Sequence, residues 1–431
     1  MFLGKGSTTA AMTTEEIQEL LASADDELLV GAGLDPTHRR VLVIIPDGTR
    51  TAPIPLFFRL LYEQFGRRTA QLDYLIALGT HWPMSPAAID HLVGATSAKR
   101  AASYPSARIF NHAWDDPQML QTVGVIPRSE AAELTGGLLA ADVPVTLNRL
   151  IFTYDLVLVC GPVFTHEVAG FSGGAKYLFP GIAGPDMINF THWLGALVTS
   201  MHTIGIKDTP VRRIIDRAAA LLTSPMLSLS LVMRGQALHG LYIGALAEAW
   251  NQAADLSEQL NITYVDRPYR QVLLAPAEMY DDLGTAAKAM YKTEPAIAGG
   301  GEVIIYAPHI TEVSYTHGKL IDEVGYHVKE YFLKQWERFQ GVPGGILARS
   351  THVKGMGTYD AERGMETSCI TVTLATGIPE ERCRRINLGY ADYRKLDPRA
   401  WQGREADGLL YVPHAGEMLY RARSLEENRK L

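Results

Sequence analysis

The chain has 431 residues, a formal net charge of −7, 47% hydrophobic and 20% charged residues. This composition is typical of a globular protein with a full core, and the charge argues against a basic surface for nucleic acid or anionic membrane. No apolar run reaches the ~18 residues of a membrane-spanning helix, and the N-terminus lacks the apolar core of a signal peptide. The three cysteines lie far apart without a C-x-x-C pair, which predicts a cytoplasmic protein and no sulfur-ligated metal.

The first half of the sequence repeats a strand, a polar loop and a helix. Its predicted elements are, in chain order, a helix at 13–24, a strand at 41–45, a helix at 56–65, a strand at 71–78, a helix at 86–93, and strands at 108–110 and 156–160. This alternation is typical of a parallel, doubly wound sheet.

From residue 211 to 260 the pattern is mostly helical, interrupted by a strand-like L-S-L-S-L-V-M. The strand and helix alternation then restarts, with strands at 271–275, 302–307, 369–375 and 385–388 and helices at 281–290 and 331–339; Gly299-Gly300-Gly301 is predicted to be a turn.

The sequence therefore predicts an α/β protein with two domains and a site in the cleft between them. The larger, doubly wound parallel-sheet domain covers 1–265, with a tail at about 405–431 packing back on it, and a smaller α/β domain covers 266–404.

Polar side chains follow the predicted parallel strands at the point where each strand ends. They include Asp47 and Arg50 in P-D-G-T-R, His81 in L-G-T-H-W-P, and His166 and Lys176 in the loop after 156–160. Open α/β sheets bind ligands at this edge. A lone loop histidine is usually polar surface, but two on one edge beside a lysine and an arginine are typical of proton-transfer groups.

Several familiar catalytic patterns are missing. Lys176 follows Gly173-Gly174 without the spacing of a phosphate-binding P-loop, and there is no H-E-x-x-H, G-x-S-x-G or strand-linked G-x-G-x-x-G. Asp47 and Arg50 are compatible with a simple turn salt bridge, although arginine there also suits a carboxylate or phosphate. From its residues alone, the chain is an α/β enzyme acting on a small anion with histidine acid/base chemistry.

Three segments together resemble the nickel-pincer lactate racemase family. They are P-D-G-T-R, L-G-T-H-W-P and H-E-V-A-G-F-S-G-G-A-K…P-G-I…T-H, in which Lys176 lies ten positions after His166 and His192 lies sixteen positions after Lys176. The resemblance implies a nickel-pincer nucleotide, pyridinium-3-thioamide-5-thiocarboxylic acid mononucleotide with Ni, built by separate maturation enzymes. Lys176 would be its covalent tether and His192 the nickel ligand, a nitrogen donor that suits square-planar nickel.

The same resemblance implies an isomerase that inverts C2 of a 2-hydroxy acid through transient hydride transfer to the pincer. His81 and His166 would be the two general acid/bases, one for each enantiomer, with pKa values near the operating pH. Arg50 would bind the substrate carboxylate. The positions expected to hold the cofactor are Asp47, Thr49, Ser172, Gly173 and Gly174.

The second domain departs from the family pattern beside the substrate. Lys288 corresponds to the family's active-site lysine, but Gly284 and Thr285 stand where the family has a tyrosine and a glutamine. Trp336 resembles the family's active-site tryptophan, although an aromatic residue on a helix face is equally typical of core packing. Loss of the bulky pair predicts a larger pocket and a substrate larger than lactate, either a sugar acid or an aryl- or alkyl-substituted 2-hydroxy acid.

Two other classes of protein stay open at this point. One is an NAD-dependent 2-hydroxy-acid dehydrogenase, against which the missing glycine fingerprint argues. The other is a non-catalytic relative that binds nickel or a ligand, against which the retention of His81, His166, Lys176 and His192 argues.

Overall fold

A computed structural model describes residues 2–426, and the chain divides into two compact units. The first runs up to Phe164 and also contains Phe171–Ile188 and Arg212–Leu260. The second contains Thr165–Gly170, Asn189–Val211 and the chain from Asn261 onward. The prediction of one boundary near 265 is therefore corrected, because two segments from the first half of the sequence pack with the second unit.

The first unit is built on a seven-stranded sheet. In spatial order its strands are Phe2–Gly6, Ala237–Gly244, Met226–Arg234, Leu156–Pro162, Arg40–Pro46, Gln71–Ala77 and Ile109–Asn111. The last five of these are parallel, and the first two pair antiparallel. The predicted doubly wound parallel sheet is confirmed, with two antiparallel strands added at one edge.

The strands of this sheet are buried and mostly apolar, because the sheet is covered on both faces. Val41–Ile45 and Leu156–Cys160 are almost fully buried, as parallel strands between two helical layers must be. The α-helices that begin in this unit are Thr14–Ala24, Ile54–Phe65, Pro86–Val93, Ser97–Ser103, Arg128–Leu134, Pro185–Val198 and Leu246–Asn261, and a separate hairpin pairs Leu120–Ile126 with Val143–Asn148. Thr13 and Glu16 form a reciprocal capping box at the first helix.

The second unit contains a five-stranded, fully parallel sheet. Its strands, in spatial order, are Gly389–Tyr390, Thr371–Thr376, Ile297–Ala307, Tyr269–Pro276 and Leu409–Ala415. Smaller pairs join Ile262–Val265 to Leu419–Ala422 and Gly357–Asp360 to Met365–Ser368. Its α-helices are Ser200–Thr203, Pro210–Ala219 (which continues into the first unit), Leu283–Ala286, Lys288–Tyr291, Gly318–Val324, Lys329–Leu333, Trp336–Phe339, Gly344–Lys354, Glu380–Arg385 and Arg423–Glu426.

Several predicted elements of the second unit are wrong in detail. The tail predicted to pack on the first domain instead adds Leu409–Ala415 to the second sheet, and its last residues, 427–431, lie outside the described part. Gly299–Gly301 lies inside a strand rather than in a turn, beside a register irregularity. The strand predicted at 385–388 overlaps the end of helix Glu380–Arg385, which has acidic residues in its first turn and arginines in its last.

The helices predicted at 281–290 and 331–339 are each two short helices, separated at Ala287 and at Lys334-Gln335. No helix within residues 2–426 is long and apolar enough to cross a membrane.

Candidate active site

The order of the strands in the first sheet reverses between Arg40–Pro46 and Leu156–Pro162. The strands that follow Arg40–Pro46 in sequence lie on one side of it, and Leu156–Pro162 and Met226–Arg234 lie on the other. Such a switch point opens a crevice at the carboxyl ends of the strands, where doubly wound sheets bind ligands.

Asp47 and His81 meet at this edge. The Asp47 carboxylate accepts a hydrogen bond from His81 Nδ1 at 2.5 Å through one oxygen, and the amide and hydroxyl of Thr49 donate to the other at 3.0 and 2.6 Å. Burial by itself would raise the pKa of Asp47, but the charge and hydrogen bond of His81, with Arg50 and Thr49, hold that pKa well below its usual range. The ionised carboxylate therefore orients the His81 ring and leaves Nε2 for a reacting group.

Arg50 lies at the same edge, beside the chain that follows Leu156–Pro162. Its Nη1 donates to the carbonyl and hydroxyl of Thr49, and its guanidinium stands 5.5 Å from the centre of the Phe164 ring. Burial raises the pKa of Tyr177 far above its usual value, and the positive charge of Arg50 opposes that change. A Cβ at Gly161 would come within 2.1 Å of the Tyr177 hydroxyl oxygen, so this tyrosine closes over the end of the strand.

The loop that carries Lys176 is shaped by Trp250. Trp250 donates its indole N–H to the Ser172 carbonyl at 2.7 Å, and a Cβ at Gly173 or Gly174 would collide with Val163 or Trp250. Gly173 and Gly174 both have positive φ, so glycine is required at both positions. Lys176 follows in a short 3₁₀ helix, Gly174–Tyr177, and is half-buried.

The hydroxyl of Ser172 has a structural task within this loop. It donates to the Pro162 carbonyl at 2.9 Å and accepts from the Phe164 amide at 3.0 Å. Arg212 supports the loop from below, with its guanidinium 4.1 Å from the centre of the Trp250 ring and Nη2 donating to the Phe171 carbonyl at 2.5 Å. Ser172 thus shapes the loop with its side chain, and we still expect its backbone to contribute to cofactor binding.

His166 belongs to the second unit and is buried, with a side-chain exposure of 8%. Its Nδ1 accepts a hydrogen bond from the Val168 amide at 3.1 Å, which assigns the remaining proton of the neutral ring to Nε2. The Glu167 carboxylate lies 3.5 Å from the same Nδ1 and favours the imidazolium when the ring is protonated.

His192 lies on helix Pro185–Val198 and is half-buried. Trp193, the next residue, stacks on Trp336 with ring centres 6.0 Å apart and planes within 14°. Lys329 donates to the Leu197 carbonyl in the last turn of this helix at 2.9 Å, and the Asn189 side chain accepts from the Gly345 amide at 3.0 Å. Trp336 thus packs beside the predicted nickel ligand while part of its surface stays exposed.

The larger pocket expected at Gly284 is not there. A Cβ at Gly284 would lie 2.2 Å from Arg349 Nη1, so the Arg349 guanidinium fills this space. Arg349 donates to the Ser314 hydroxyl at 3.0 Å. Lys288 follows one turn after Gly284, with its Nζ 4.9 Å from the centre of the Tyr280 ring. A positive charge therefore replaces the bulk that the substitution to glycine removed.

The predicted site residues fall into two sets. The first unit brings together Asp47, Thr49, Arg50, His81, Ser172, Gly173, Gly174 and Lys176, and the second unit carries His166, His192, Lys288 and Trp336. Sequence reasoning missed Tyr177, Trp250, Arg212 and Arg349. The position of Tyr177 directly after Lys176 was a usable signal, whereas the other three come from distant helices. Within residues 2–426, no group of three or more His, Cys, Asp or Glu side chains is arranged to hold a metal ion.

Comparison with known proteins points to one family. Residues 7–205 match the lactate racemase N-terminal domain. Lactate racemase from Thermoanaerobacterium thermosaccharolyticum is 25% identical over 189 residues, which is 42% of this chain and 39% of that protein, so the match spans about two fifths of the curated relative.

Two solved structures extend the similarity over nearly the whole chain. A Thermotoga maritima protein, solved as a structural genomics target, is 31% identical with a TM-score of 0.88, covering 97% of this chain and 100% of its own. The lactate racemase apoprotein from T. thermosaccharolyticum has a TM-score of 0.68 at 16% identity, covering 96% of this chain and 94% of its own, which shows a shared fold.

Proposed function

We propose that the chain is a racemase or epimerase inverting C2 of a 2-hydroxy acid, a proposal supported by the match of residues 7–205 to the lactate racemase N-terminal domain. The observation that carries this proposal is the hydrogen bond between the buried Asp47 carboxylate and His81, beside Arg50 at the switch point of the first sheet. This arrangement places His81, a base of defined tautomer, beside Arg50, a group that binds carboxylates.

His81 acts as the base for one enantiomer. Its Nδ1–H is held by Asp47, so the lone pair on Nε2 takes the proton of the C2 hydroxyl. The imidazolium formed is stabilised by the ionised Asp47 carboxylate, which acts as a positioning residue. Arg50 binds the substrate carboxylate, for which its planar guanidinium offers two parallel donors.

His166 acts on the hydroxyl of the other enantiomer. Nε2 is the nitrogen that exchanges a proton with the substrate, because Nδ1 lies against the Val168 amide and the Glu167 carboxylate. Before it accepts a proton, the neutral ring takes the tautomer with its hydrogen on Nδ1, toward the Glu167 carboxylate 3.5 Å away, which leaves the Nε2 lone pair for the substrate. As His81 takes a proton, His166 gives one, and their roles exchange in the reverse direction.

The residues present fit the family's cofactor, the nickel-pincer nucleotide. Lys176 follows a glycine turn that packs tightly against the Val163 and Trp250 side chains, and this support for the loop is consistent with the proposed role of Lys176 as the tether. His192 would give an imidazole nitrogen to the nickel, and the pincer would supply the remaining donors. When bound, this group would supply a reversible hydride acceptor for C2.

The substrate is proposed to be a 2-hydroxy acid that is polar beyond C2. The support is Gly284, where the family has a bulky residue, and the Arg349 guanidinium that lies against it. A guanidinium favours hydroxyl or carboxylate groups over an aryl tail, and therefore a sugar acid over an aryl-substituted acid.

The decisive experiment is co-expression with a pincer maturation system, followed by peptide mass spectrometry and nickel analysis. We expect an adduct on Lys176 with one nickel per chain, and inversion of C2 in a panel of 2-hydroxy acids with weak activity on lactate. Lys176→Arg is the control for the tether. An unmodified Lys176, in cells where a known racemase matures, would contradict the cofactor assignment.

Variants of the two histidines test the acid/base roles. His81→Ala and His166→Ala should each abolish inversion while leaving the Lys176 adduct in place. Full racemisation by His166→Ala would refute the two-base scheme. Reduction of NAD by the unloaded protein with a 2-hydroxy acid would instead favour a dehydrogenase.

A further inference from the structure

A pocket of about 100 Å³ lies within the second unit, and we call it the Glu330 pocket. It has a buried floor and a half-buried rim through which a ligand can enter. The floor includes Ser200, Glu294, Thr351 and His352, and the rim includes Lys329 and Glu330. None of these residues has a part in the proposed inversion of a 2-hydroxy acid.

Four polar side-chain atoms of this lining are buried without a hydrogen-bond partner among the described residues. They are Ser200 Oγ, Thr351 Oγ1, His352 Nε2 and Glu330 Oε2. Ser200, Thr351 and His352 are each more than nine-tenths buried. Native proteins rarely leave several such groups together, so the pocket is suited to a polar ligand that completes their hydrogen bonds.

All four of these atoms can accept a hydrogen bond. Burial lowers the pKa of His352 to about 4, so its ring is neutral near pH 7 and one ring nitrogen carries a lone pair. The hydroxyl oxygens of Ser200 and Thr351 accept as well as donate, whereas the Glu330 carboxylate only accepts. A ligand with several N–H donors would therefore serve all four atoms, and a positively charged donor suits the carboxylate best.

The charges of the lining favour a cation over an anion. Glu294 and Glu330 bring two carboxyl groups, against the one ammonium group of Lys329. The Lys329 ammonium donates to the Leu197 carbonyl at 2.9 Å, and Glu330 Oε2 is still without a partner. Glu294 accepts from the Met356 amide at 3.0 Å, and burial raises its pKa to about 7. A bound cation would pair with these carboxylates, whereas an anion would be buried beside them without a partner.

The atoms and the size of the pocket favour an ammonium group over a metal ion. Hard cations such as Mg²⁺ and Ca²⁺ take oxygen ligands, but one of the four acceptors is the imidazole nitrogen of His352. No group of three or more His, Cys, Asp or Glu side chains in the described part of the chain could hold a metal ion. A water molecule occupies about 30 Å³ of liquid volume, so the pocket holds roughly three waters or an ammonium group on a short polar chain.

The backbone of the pocket is strained at Thr199. This residue has φ 80° and ψ 151°, a conformation that a β-branched residue seldom adopts. Its hydroxyl oxygen lies 3.0 Å from His202 Nδ1, and both residues line the pocket. Strain of this kind concentrates at ligand-binding sites, which agrees with a binding role for the segment that carries Ser200.

We propose that the Glu330 pocket binds the ammonium group of a small primary amine whose short chain ends in a hydroxyl group. The ammonium donates to Glu330 Oε2 and His352 Nε2, and the hydroxyls of Ser200 and Thr351 bind the remaining polar atoms of the amine. Binding needs neither the nickel-pincer nucleotide nor a 2-hydroxy acid. It can therefore be measured on the unloaded, full-length chain, and its outcome does not depend on the proposed function.

The first test compares three probes of equal size and different charge by isothermal titration calorimetry in an amine-free buffer at pH 8. The probes are ethanolamine hydrochloride, ethylene glycol and sodium acetate. We expect ethanolammonium to bind saturably with a Kd of about 1 mM or below, and the neutral and anionic probes to bind at least about tenfold more weakly.

Each other result of this titration would overturn the proposal. Tighter binding of acetate would assign an anion site, and equal binding of ethylene glycol would assign a site for neutral polar molecules. Displacement of ethanolammonium by an equal concentration of potassium chloride would assign the pocket to alkali ions. If none of the probes binds saturably, the pocket holds ordered water alone.

The second test removes the charge of Glu330. Glu330→Gln keeps the size of the side chain, and we expect the Kd of ethanolammonium to rise about tenfold or more. Glu323→Gln, at an exposed position on helix Gly318–Val324 of the same unit, is the matched control and should bind as the wild type does. Thr351→Val, which removes only the hydroxyl, should weaken binding about threefold or more. An unchanged Kd in either pocket variant, with thermal unfolding showing that it is folded, would overturn the proposal.

The third test uses pH, because ethanolamine is protonated at both pH 6 and pH 8 whereas Glu294 is mostly ionised only at pH 8. We expect binding to be about five- to tenfold tighter at pH 8, and Glu294→Gln to lose this difference. Any protonation of His202 at pH 6 would act in the same direction. The other titratable groups around Glu294 keep one charge state over this range; they are Lys329, Glu330, His352 and the Cys369 thiol, whose pKa burial raises. Tighter binding at pH 6, or the full difference in Glu294→Gln, would overturn the placement of the ammonium beside this carboxyl group.

Discussion

Asp47 and His81 are 34 residues apart in sequence, and their side chains meet at 2.5 Å at the carboxyl edge of the first sheet. Each follows a different parallel strand, Arg40–Pro46 and Gln71–Ala77, and the two strands are direct neighbours. The pairing of the strands therefore sets the pairing of the side chains. The cofactor contact that the sequence predicts for Asp47 stays a prediction, and its hydrogen bonds also make it the partner that orients His81.

Asp47→Asn tests this relationship. Asparagine keeps the shape but loses the charge, and its amide N–H₂ favours the wrong tautomer of His81. We expect kcat of the loaded enzyme to fall about 100-fold or more, the scale of a lost general base. Thr49→Val, which removes only the hydroxyl bond to Asp47, should cost less. The adduct on Lys176 is measured in both variants, and wild-type kcat in Asp47→Asn would contradict the orienting role.

Gly161→Ala tests how tightly Tyr177 closes over the strand end. The new Cβ would lie 2.1 Å from the Tyr177 hydroxyl oxygen and 2.3 Å from Cζ, and the ring is buried, so it must shift. We expect the free energy of unfolding in urea to drop by about 1–3 kcal/mol. Gly341→Ala, where the Cβ meets nothing within 4 Å, is the matched control and should stay within about 0.5 kcal/mol of wild type. Equal stability of the two variants would show that Tyr177 has room to move.

Local signals explain why so much of the first sheet could be predicted. Helix Pro86–Val93 was predicted at its observed bounds, because Ser85 caps its start and Gly94 ends it with positive φ. Strand Phe2–Gly6 was not predicted, since two of its five residues are glycine and its partner, Ala237–Gly244, lies far along the chain. Sequence pattern identifies a strand by its own residues and misses one stabilised mainly by its neighbour.

The residues of the candidate site likewise divide into those that the sequence predicts and those that it does not. Asp47, Arg50 and His81 could be placed at one edge, because each follows a parallel strand and parallel strands end together. Trp250 and Arg349 could not, because each reaches its position from a helix far away in sequence. Arg349 shows the consequence: Gly284 predicts empty space, but a side chain from a distant helix fills it.

Trp250→Phe tests the support beneath Lys176. Phenylalanine keeps an aromatic ring for Arg212 but leaves the Ser172 carbonyl without the indole donor it has at 2.7 Å. We expect a loss of about 1–3 kcal/mol in the free energy of unfolding, and a lower fraction of Lys176 modified on maturation. Trp82→Phe, at a largely exposed position, is the control for stability and should be near neutral. A variant as stable and as fully modified as wild type would contradict the supporting role.

Glu294→Gln tests the buried carboxyl of Glu294 through the pH dependence of stability. The pKa of Glu294 is about 7 in the folded protein, against an ordinary value of 4.5. Below pH about 4.5 both states hold the proton and the group has no effect. Between these pH values the unfolded state gives up its proton first, so stability falls as pH rises; above about pH 7 the penalty is constant.

A difference of about 2.5 between the two pKa values corresponds to about 3 kcal/mol. Glutamine keeps the oxygen that accepts from the Met356 amide and cannot ionise, so the variant escapes this penalty. We expect urea unfolding to give a variant more stable than wild type by about 3 kcal/mol at pH 8 and by less than about 1 kcal/mol at pH 5. Glu19→Gln, at an exposed position on the first helix, should show no such difference between the two pH values. If Glu294→Gln differs from wild type by the same amount at both, Glu294 ionises in the folded protein as freely as in the unfolded chain.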